Sequence, residues 1–110
     1  MLAPFGPGII GATMHAAALR MELRIPGVQS LKAKRRVLRG LLARLDEGFD
    51  VSIAEVDHQD DWQRATVGVA VVASEHAHLE QILGVIRQRA LEWPGTEVIE
   101  FAVAYLEEEA

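Results

Sequence analysis

Two kinds of hydrophobic spacing alternate along this chain, and their order restricts the folds that it can adopt. Residues 16–25 alternate apolar with polar side chains, which is the period-2 pattern of a half-buried β-strand. Residues 31–47 instead place their leucines within a narrow arc at about 100° per residue, as an amphipathic helix does. Ser30 is a favourable N-cap for this helix, and Gly48 suits the position that follows its end. We therefore predict a strand followed by a helix.

The second half of the chain repeats these patterns in a different order. Residues 49–57 and 65–73 are rich in valine and isoleucine and are joined by a short polar loop, which predicts an antiparallel hairpin. A second amphipathic helix is expected to start at Ser74 and to end before Pro94. Residues 98–105 supply a last strand, so the predicted order is βαββαβ.

This order is typical of the ferredoxin-like fold, an α+β architecture in which right-handed crossovers place both helices on one face of a four-stranded antiparallel sheet. Alternation along the strands assigns large apolar residues to the helix-covered face: Leu19, Met21, Leu23, Val51, Ile53, Val67, Val69, Val71, Ile99, Phe101 and Val103. The opposite face, called the open face below, receives smaller ones: Ser52, Ala54, Val56, Thr66, Gly68, Ala70, Val72, Ala102 and Ala104. Because large apolar patches are unusual on monomers, we expect a second copy of the protein, or the N-terminal segment, to cover part of it.

Length and composition suit one domain. The chain has 110 residues, half of them hydrophobic, which is enough for one compact core and too few for two. We expect a domain over residues 14–106, after an extension over 1–13 and before an acidic tail over 107–110. The extension has no basic segment and is interrupted by proline and glycine, so it predicts neither a signal peptide nor a membrane helix. Absence of cysteine excludes disulfides and thiolate metal sites, and we expect a cytoplasmic location.

Charge is divided very unevenly along the chain. Residues 32–44 hold six of the eleven basic residues and no acidic residue, whereas all sixteen acidic residues lie elsewhere. On a helix, Lys32, Arg36 and Arg39 would lie on the outward side at i, i+4 and i+7. Arg35 would lie on one flank, Arg44 further round, and Lys34 at the edge of the leucine face, so that the six would form one connected basic ridge. Such a stripe in a protein of acidic isoelectric point indicates a polyanionic or acidic partner.

Three interpretations of the ridge remain open. It could bind RNA phosphates, with a strong salt dependence, or an acidic protein surface. Alternatively, the long basic stems cover the edge of the core and pair with Asp46, Glu47 or acidic residues of the second helix. Outward positions of the first and third strands carry no aromatic side chain, so stacking of single-stranded bases is not expected. Any RNA contact would therefore be to the phosphates of structured RNA.

The loop of the predicted hairpin, residues 57–63, is the other concentration of polar side chains. His58 with Asp60 could share a metal ion, and Glu55 with Asp57 could form a carboxylate pair, but neither spacing is specific. In another interpretation Asp57 and Asp60 cap the turn while Trp62 folds over the core edge. In a third, the loop recognises a partner, with Trp62 as its anchor. The candidate partner-recognition residues are Asp57, His58, Gln59, Asp60, Trp62 and Gln63; no metal site is expected.

Two segments, LRMELRIPGVQSLKAKRRVL at 19–38 and VSIAEVDHQDDWQRA at 51–65, resemble the bacterial DUF503 (YlxP-like) family. The resemblance covers nearly everything from Met14 onward, where members of that family typically begin. It implies a small ferredoxin-like domain without an established catalytic activity. It also implies a gene that often lies among those for translation initiation and ribosome maturation. The doubled Asp60-Asp61 departs from the family pattern, which usually has one acidic residue followed by an apolar one.

Taken together, these patterns predict a non-catalytic protein that binds ribosomal RNA or a ribosomal particle through its basic helix. No phosphate-binding loop, nucleophile turn or dinucleotide fingerprint is present in the sequence, so we expect neither an enzyme nor a cofactor. The alternative is a homodimeric protein- or small-molecule-binding module that uses the open face. A metal-dependent enzyme using the 57–63 loop is less favoured, and neither a membrane nor a DNA partner is expected.

Overall fold

The computed structural model describes residues 14–106, and its elements follow the predicted order. They are β1 (His15–Arg24), α1 (Leu31–Asp46), β2 (Ser52–Asp57), β3 (Arg64–Ala73), α2 (His76–Glu92) and β4 (Glu97–Leu106). One antiparallel sheet has the strand order β2-β3-β1-β4, which confirms the α+β ferredoxin-like fold. The predicted extension (1–13) and acidic tail (107–110) lie outside the described residues.

Local signals at the helix ends act largely as predicted. Ser30 Oγ accepts a hydrogen bond from the backbone N–H of Ala33 at 3.1 Å, which confirms the N-cap of α1. Gly48 has a φ of +81°, a left-handed conformation that glycine adopts without steric cost just after a helix. The prediction for α2 was wrong by two residues: Ser74 lies before the helix, and Glu75 occupies the N-cap position without a side-chain hydrogen bond.

The core lies between the two helices and one face of the sheet. From the sheet, large buried side chains include Leu19, Met21 and Leu23 on β1 and Val67 and Val69 on β3. The helices contribute a further set, which comprises Leu38, Leu41, Leu45, Leu79, Leu83 and Ile86. Each such side chain contributes roughly 1.5–3 kcal/mol through its removal from water, so this layer is the main source of stability. Over residues 14–106, neither helix is long and apolar enough to cross a bilayer.

One predicted core residue, Ile99, was placed wrongly. Pairing between β1 and β4 shifts by one residue beside Leu23, so that Val98 lies opposite Leu23 and Ile99 becomes the extra residue of a bulge. Val98 therefore packs against the core, while Ile99 is 52% exposed. A bulge changes which residues of a strand point inward, and strict alternation along β4 could not reveal it.

A hydrogen bond between β4 and α2 gives a pH-dependent contribution to stability. Tyr105 donates its hydroxyl to Glu80 Oε1, and this bond, together with the negative charge of Glu80, raises the pKa of Tyr105 above its ordinary value of 10.0. Because the pKa is higher in the folded state, the contribution is fully present below pH 10 and is lost as the pH rises through the folded-state value. Tyr105 is the single tyrosine, so a titration of tyrosinate absorbance reports on it alone. We expect a midpoint above 10, and a return towards 10 in Glu80→Ala; equal midpoints would contradict this assignment.

Candidate nucleic-acid interface

Four of the six predicted basic residues form one exposed surface on α1. Lys32, Arg35, Arg36 and Arg39, called the basic patch below, fall within an arc of about 100° on the side of the helix that faces away from the core. Within residues 14–106 none of these four side chains forms an ion pair. The first turn of α1 contains no acidic residue, so the patch has no local counter-charge there.

Lys34 is a correction to the predicted ridge. Its side chain is only 1% exposed and lies on the buried face of α1, beside Leu38 and Leu41. In helical projection Lys34 falls between those two leucines, at about 100° per residue, so its position was readable from the sequence. A lysine on an apolar helix face must find partners for its ammonium group, because an unpaired buried charge is very unfavourable.

The partners of Lys34 come from the hairpin. Its Nζ donates to the backbone carbonyls of His58 and Asp61, both at 2.6 Å, and lies 2.9 Å from Glu55 Oε2. That carboxylate oxygen is buried without a well-directed hydrogen bond in the described structure, so its contact with Lys34 is an ion pair. Glu55 lies on the helix-covered face of β2, as Ile53 does two residues earlier, and the register shifts between Glu55 and Asp57, so these two do not form the carboxylate pair of one interpretation. Lys34 thus fixes the hairpin loop to α1.

Arg44 also lies apart from the basic patch, near the C-terminal end of α1. Its Nη1 is 3.1 Å from Glu47 Oε2, which is one of the pairings expected from the interpretation of the ridge as a self-compensated surface. The carbonyls of Arg44 and Glu47 accept hydrogen bonds from Arg89 Nη1 of α2, at 3.0 and 2.6 Å. The Arg44 side chain is therefore paired within its own helix end, and Arg89 is the cation that binds the C-terminal carbonyls of α1.

The hairpin loop is ordered by side chain to backbone hydrogen bonds. Asp57 Oδ1 accepts from the N–H of His58 at 2.7 Å, and Asp61 Oδ1 accepts from the N–H of Gln63 at 2.9 Å. Asp61, not the predicted Asp60, is thus the second capping residue. His58 has a φ of +60°, which a non-glycine residue adopts only in a tight turn.

The remaining loop side chains face solvent or neighbouring backbone. Trp62 is 50% exposed and so does not close over the core edge. Gln63 donates from Nε2 to the carbonyl of Val28 at 3.3 Å, which joins the loop to the segment before α1. Gln59 and Asp60 are exposed. Across the described part of the chain, no group of three His, Asp or Glu side chains is arranged to hold a metal ion.

The structure therefore brings the basic patch and the hairpin loop to the same end of the molecule. The N-terminal half of α1 carries the patch on its outer side, and Lys34, on its inner side, holds the loop carbonyls of His58 and Asp61. Arg35 and Arg39 border a shallow groove between α1 and β2, which also contains Glu55. The arrangement offers positive charge on a surface whose loop is held to α1 by Lys34.

Comparison with known proteins places this chain in a family. "Uncharacterized protein YlxP" of Bacillus subtilis (strain 168) is 46% identical over 54 residues, which are 49% of this chain; the match spans 59% of that protein's length. A C-terminal segment of the alpha subunit of aIF2 from Pyrococcus abyssi has a similar fold, with a TM-score of 0.50 and 16% identity over 88% of this chain and 52% of that one. The sequence profile of DUF503, described as a protein of unknown function, matches residues 16–103. The chain therefore belongs to the DUF503 family.

Proposed function

We propose that this protein is a non-catalytic RNA-binding domain that associates with ribosomal RNA, or with a ribosomal particle, through the basic patch. The observation that carries the proposal is the lack of compensation: four neighbouring cations on one helix face have no acidic partner among residues 14–106. Arg44 and Lys34, by contrast, each have an acidic partner in the fold. Cations left free in a protein of net charge −5 favour an external polyanion.

The arrangement of the patch is unfavourable for the free protein. Lys32 and Arg36, and Arg35 and Arg39, are spaced at i, i+4, and two further pairs are spaced at i, i+3. Like charges at these spacings cost roughly 0.2–0.5 kcal/mol per pair, and cations near a helix N-terminus also oppose the helix dipole. Bound phosphates would reverse the sign of these interactions. The same four residues would therefore contribute more to a complex than to the fold.

The residue types suit phosphate groups of structured RNA. Arginine supplies planar, bidentate donors for phosphate oxygens, and three of the four patch residues are arginines. On the open face, β1 and β3 offer Arg20, Glu22, Thr66 and Gly68 where a base-stacking sheet would carry aromatic rings. A helix that follows the phosphates of folded RNA is consistent with both facts. Among structured RNAs, ribosomal RNA is favoured as the ligand because the family resemblance implies a gene context related to translation.

Salt dependence is the direct test of this proposal. If the four patch residues neutralise four phosphates, a plot of log affinity against log salt should have a slope of about −3, so affinity should fall about 50- to 150-fold between 50 and 200 mM KCl. Co-sedimentation with purified ribosomal subunits, and filter binding to naked ribosomal RNA, would measure the affinity at each salt concentration. Absence of binding at the lower salt concentration, or binding that does not respond to salt, would refute the proposal.

A further inference from the structure

The open face of the sheet has a regular arrangement of large and small residues. Strand pairing aligns its side chains in rows that run across the strands. The middle row contains only small residues: Ser52, Ala70, Ala18 and Ala104. The row on one side of it contains Val72, Ala16 and Leu106, and the row on the other side contains Ala54, Gly68, Arg20 and Ala102.

These rows create an exposed apolar trough. Val72 and Leu106 project from one side of it and are 56% and 41% exposed, although both are large and apolar. The middle row forms the floor of a concavity of about 630 Å³, whose lining is almost entirely apolar and includes one charged residue, Asp50. A pocket for a small molecule usually offers several convergent polar groups that orient the ligand. The trough lacks such a set, which favours a second apolar protein surface over a small ligand.

The pattern of large and small residues is complementary to itself. Two copies can be related by a two-fold axis that lies between their open faces and runs parallel to the middle row. The middle row of one copy then lies over the middle row of the other, and each flanking row lies over the opposite flanking row of the partner. Leu106, a large residue, would then lie over Ala102 of the partner subunit, and Val72 would lie at the position of Gly68 of the partner subunit, against the Val56 side chain that covers this glycine. Alanines in the middle row would let the two sheets approach closely, and sheets packed face to face keep their strand directions within about 30°. Self-complementarity of this kind is what a symmetric dimer requires.

We propose that the open face is the contact surface of a symmetric homodimer, in which Leu106 of each copy fills the space above Ala102 of the other and Val72 packs against the exposed Val56 side chain that covers Gly68. The next row beyond Gly68 contains Glu22 and Thr66, and Arg20 extends towards it with Nε 3.8 Å from Glu22 Oε1, so the charged side chains form a rim at this end of the face. Apolar centre and polar rim are the usual anatomy of an interface. Three rows of four strands measure about 19 Å by 20 Å, which is small for an obligate interface, so we expect a dimer that dissociates on dilution.

Sedimentation equilibrium of the full chain, over a wide range of protein concentration, tests this dimer. We expect a monomer–dimer equilibrium in the wild-type protein and a dissociation constant raised at least about 100-fold by Ala70→Asp, since the two-fold axis would bring the two new carboxylates together in the apolar middle row. Ala70 is exposed in the single chain, so an unchanged melting temperature would show that folding is not affected. A wild-type monomer at every concentration, or a dimer that persists in Ala70→Asp, would overturn the proposal.

A size exchange between two positions tests the register itself. Ala102→Leu alone should raise the dissociation constant about tenfold, because two leucines would then meet, and adding Leu106→Ala should restore it by exchanging the large and the small residue. Failure of the double variant to recover would overturn the proposed register. The basic patch lies on the helix side of the sheet, so none of these variants should alter RNA affinity per chain. Loss of the dimer and loss of RNA binding are therefore separate outcomes.

Discussion

Lys34→Met is expected to destabilise the fold by about 3 kcal/mol, which is a large share of the stability of a domain of this size. Methionine can occupy the space of the lysine stem, but it cannot donate to the carbonyls of His58 and Asp61 or balance the charge of Glu55. Each of these groups would lose its partner while remaining partly buried. Thermal unfolding should show a melting temperature lower by more than about 10 °C.

The neighbouring substitution Arg35→Met is the matched control. Arg35 is exposed and has no ion pair within residues 14–106, so its free energy of unfolding should change by less than about 0.5 kcal/mol. Hydrogen exchange adds a local measurement: amides of residues 57–63 should lose protection in Lys34→Met and keep it in Arg35→Met. If the two variants unfold at the same temperature, Lys34 is not the anchor of the loop.

Reversing the charge of Lys32 and Arg36 together is expected to abolish measurable binding to ribosomal RNA. The double substitution Lys32→Glu with Arg36→Glu removes two phosphate contacts and adds two repulsive ones in the centre of the basic patch. A loss of at least about 100-fold in affinity at moderate salt follows, because each contact also contributes counterion release. Stability should be maintained or slightly increased, since an acidic residue at position 32, in the first turn, favours the helix dipole, and opposite charges would then stand at the i, i+3 spacings 32/35 and 36/39.

The control for this variant must carry the same change in net charge at another place. Arg24 and Arg64 form an exposed pair across β1 and β3, on the open face rather than on α1. Arg24→Glu with Arg64→Glu should leave most of the RNA affinity intact if binding is local to the patch. Equal losses in both double variants would indicate a response to overall charge, and unaltered binding in the patch variant would exclude α1 as the interface.

Much of the fold was predictable because its determinants are local. The narrow arc of leucines in α1, its cap at Ser30 and the alternation in β1 each depend on residues within a few positions of one another. The candidate interface was only partly predictable. Helical spacing placed Lys32, Arg36 and Arg39 correctly on the outer side, but the assignment of Lys34 to the same surface gave its charge more weight than its position among the leucines.

The sequence by itself determined the order of the elements, the identity of the helix-covered face and the position of the strongest charge on the chain, because periodicity and composition are properties of short segments. Tertiary structure decided which cations are free. Lys34 is neutralised by Glu55 and by two loop carbonyls that are more than twenty residues away along the chain, so its role depends on how α1 packs against the hairpin. It also decided the exposure of Ile99 and the alignment of Val72 with Ala16 and Leu106 in one row of the open face, since strand register is a non-local property.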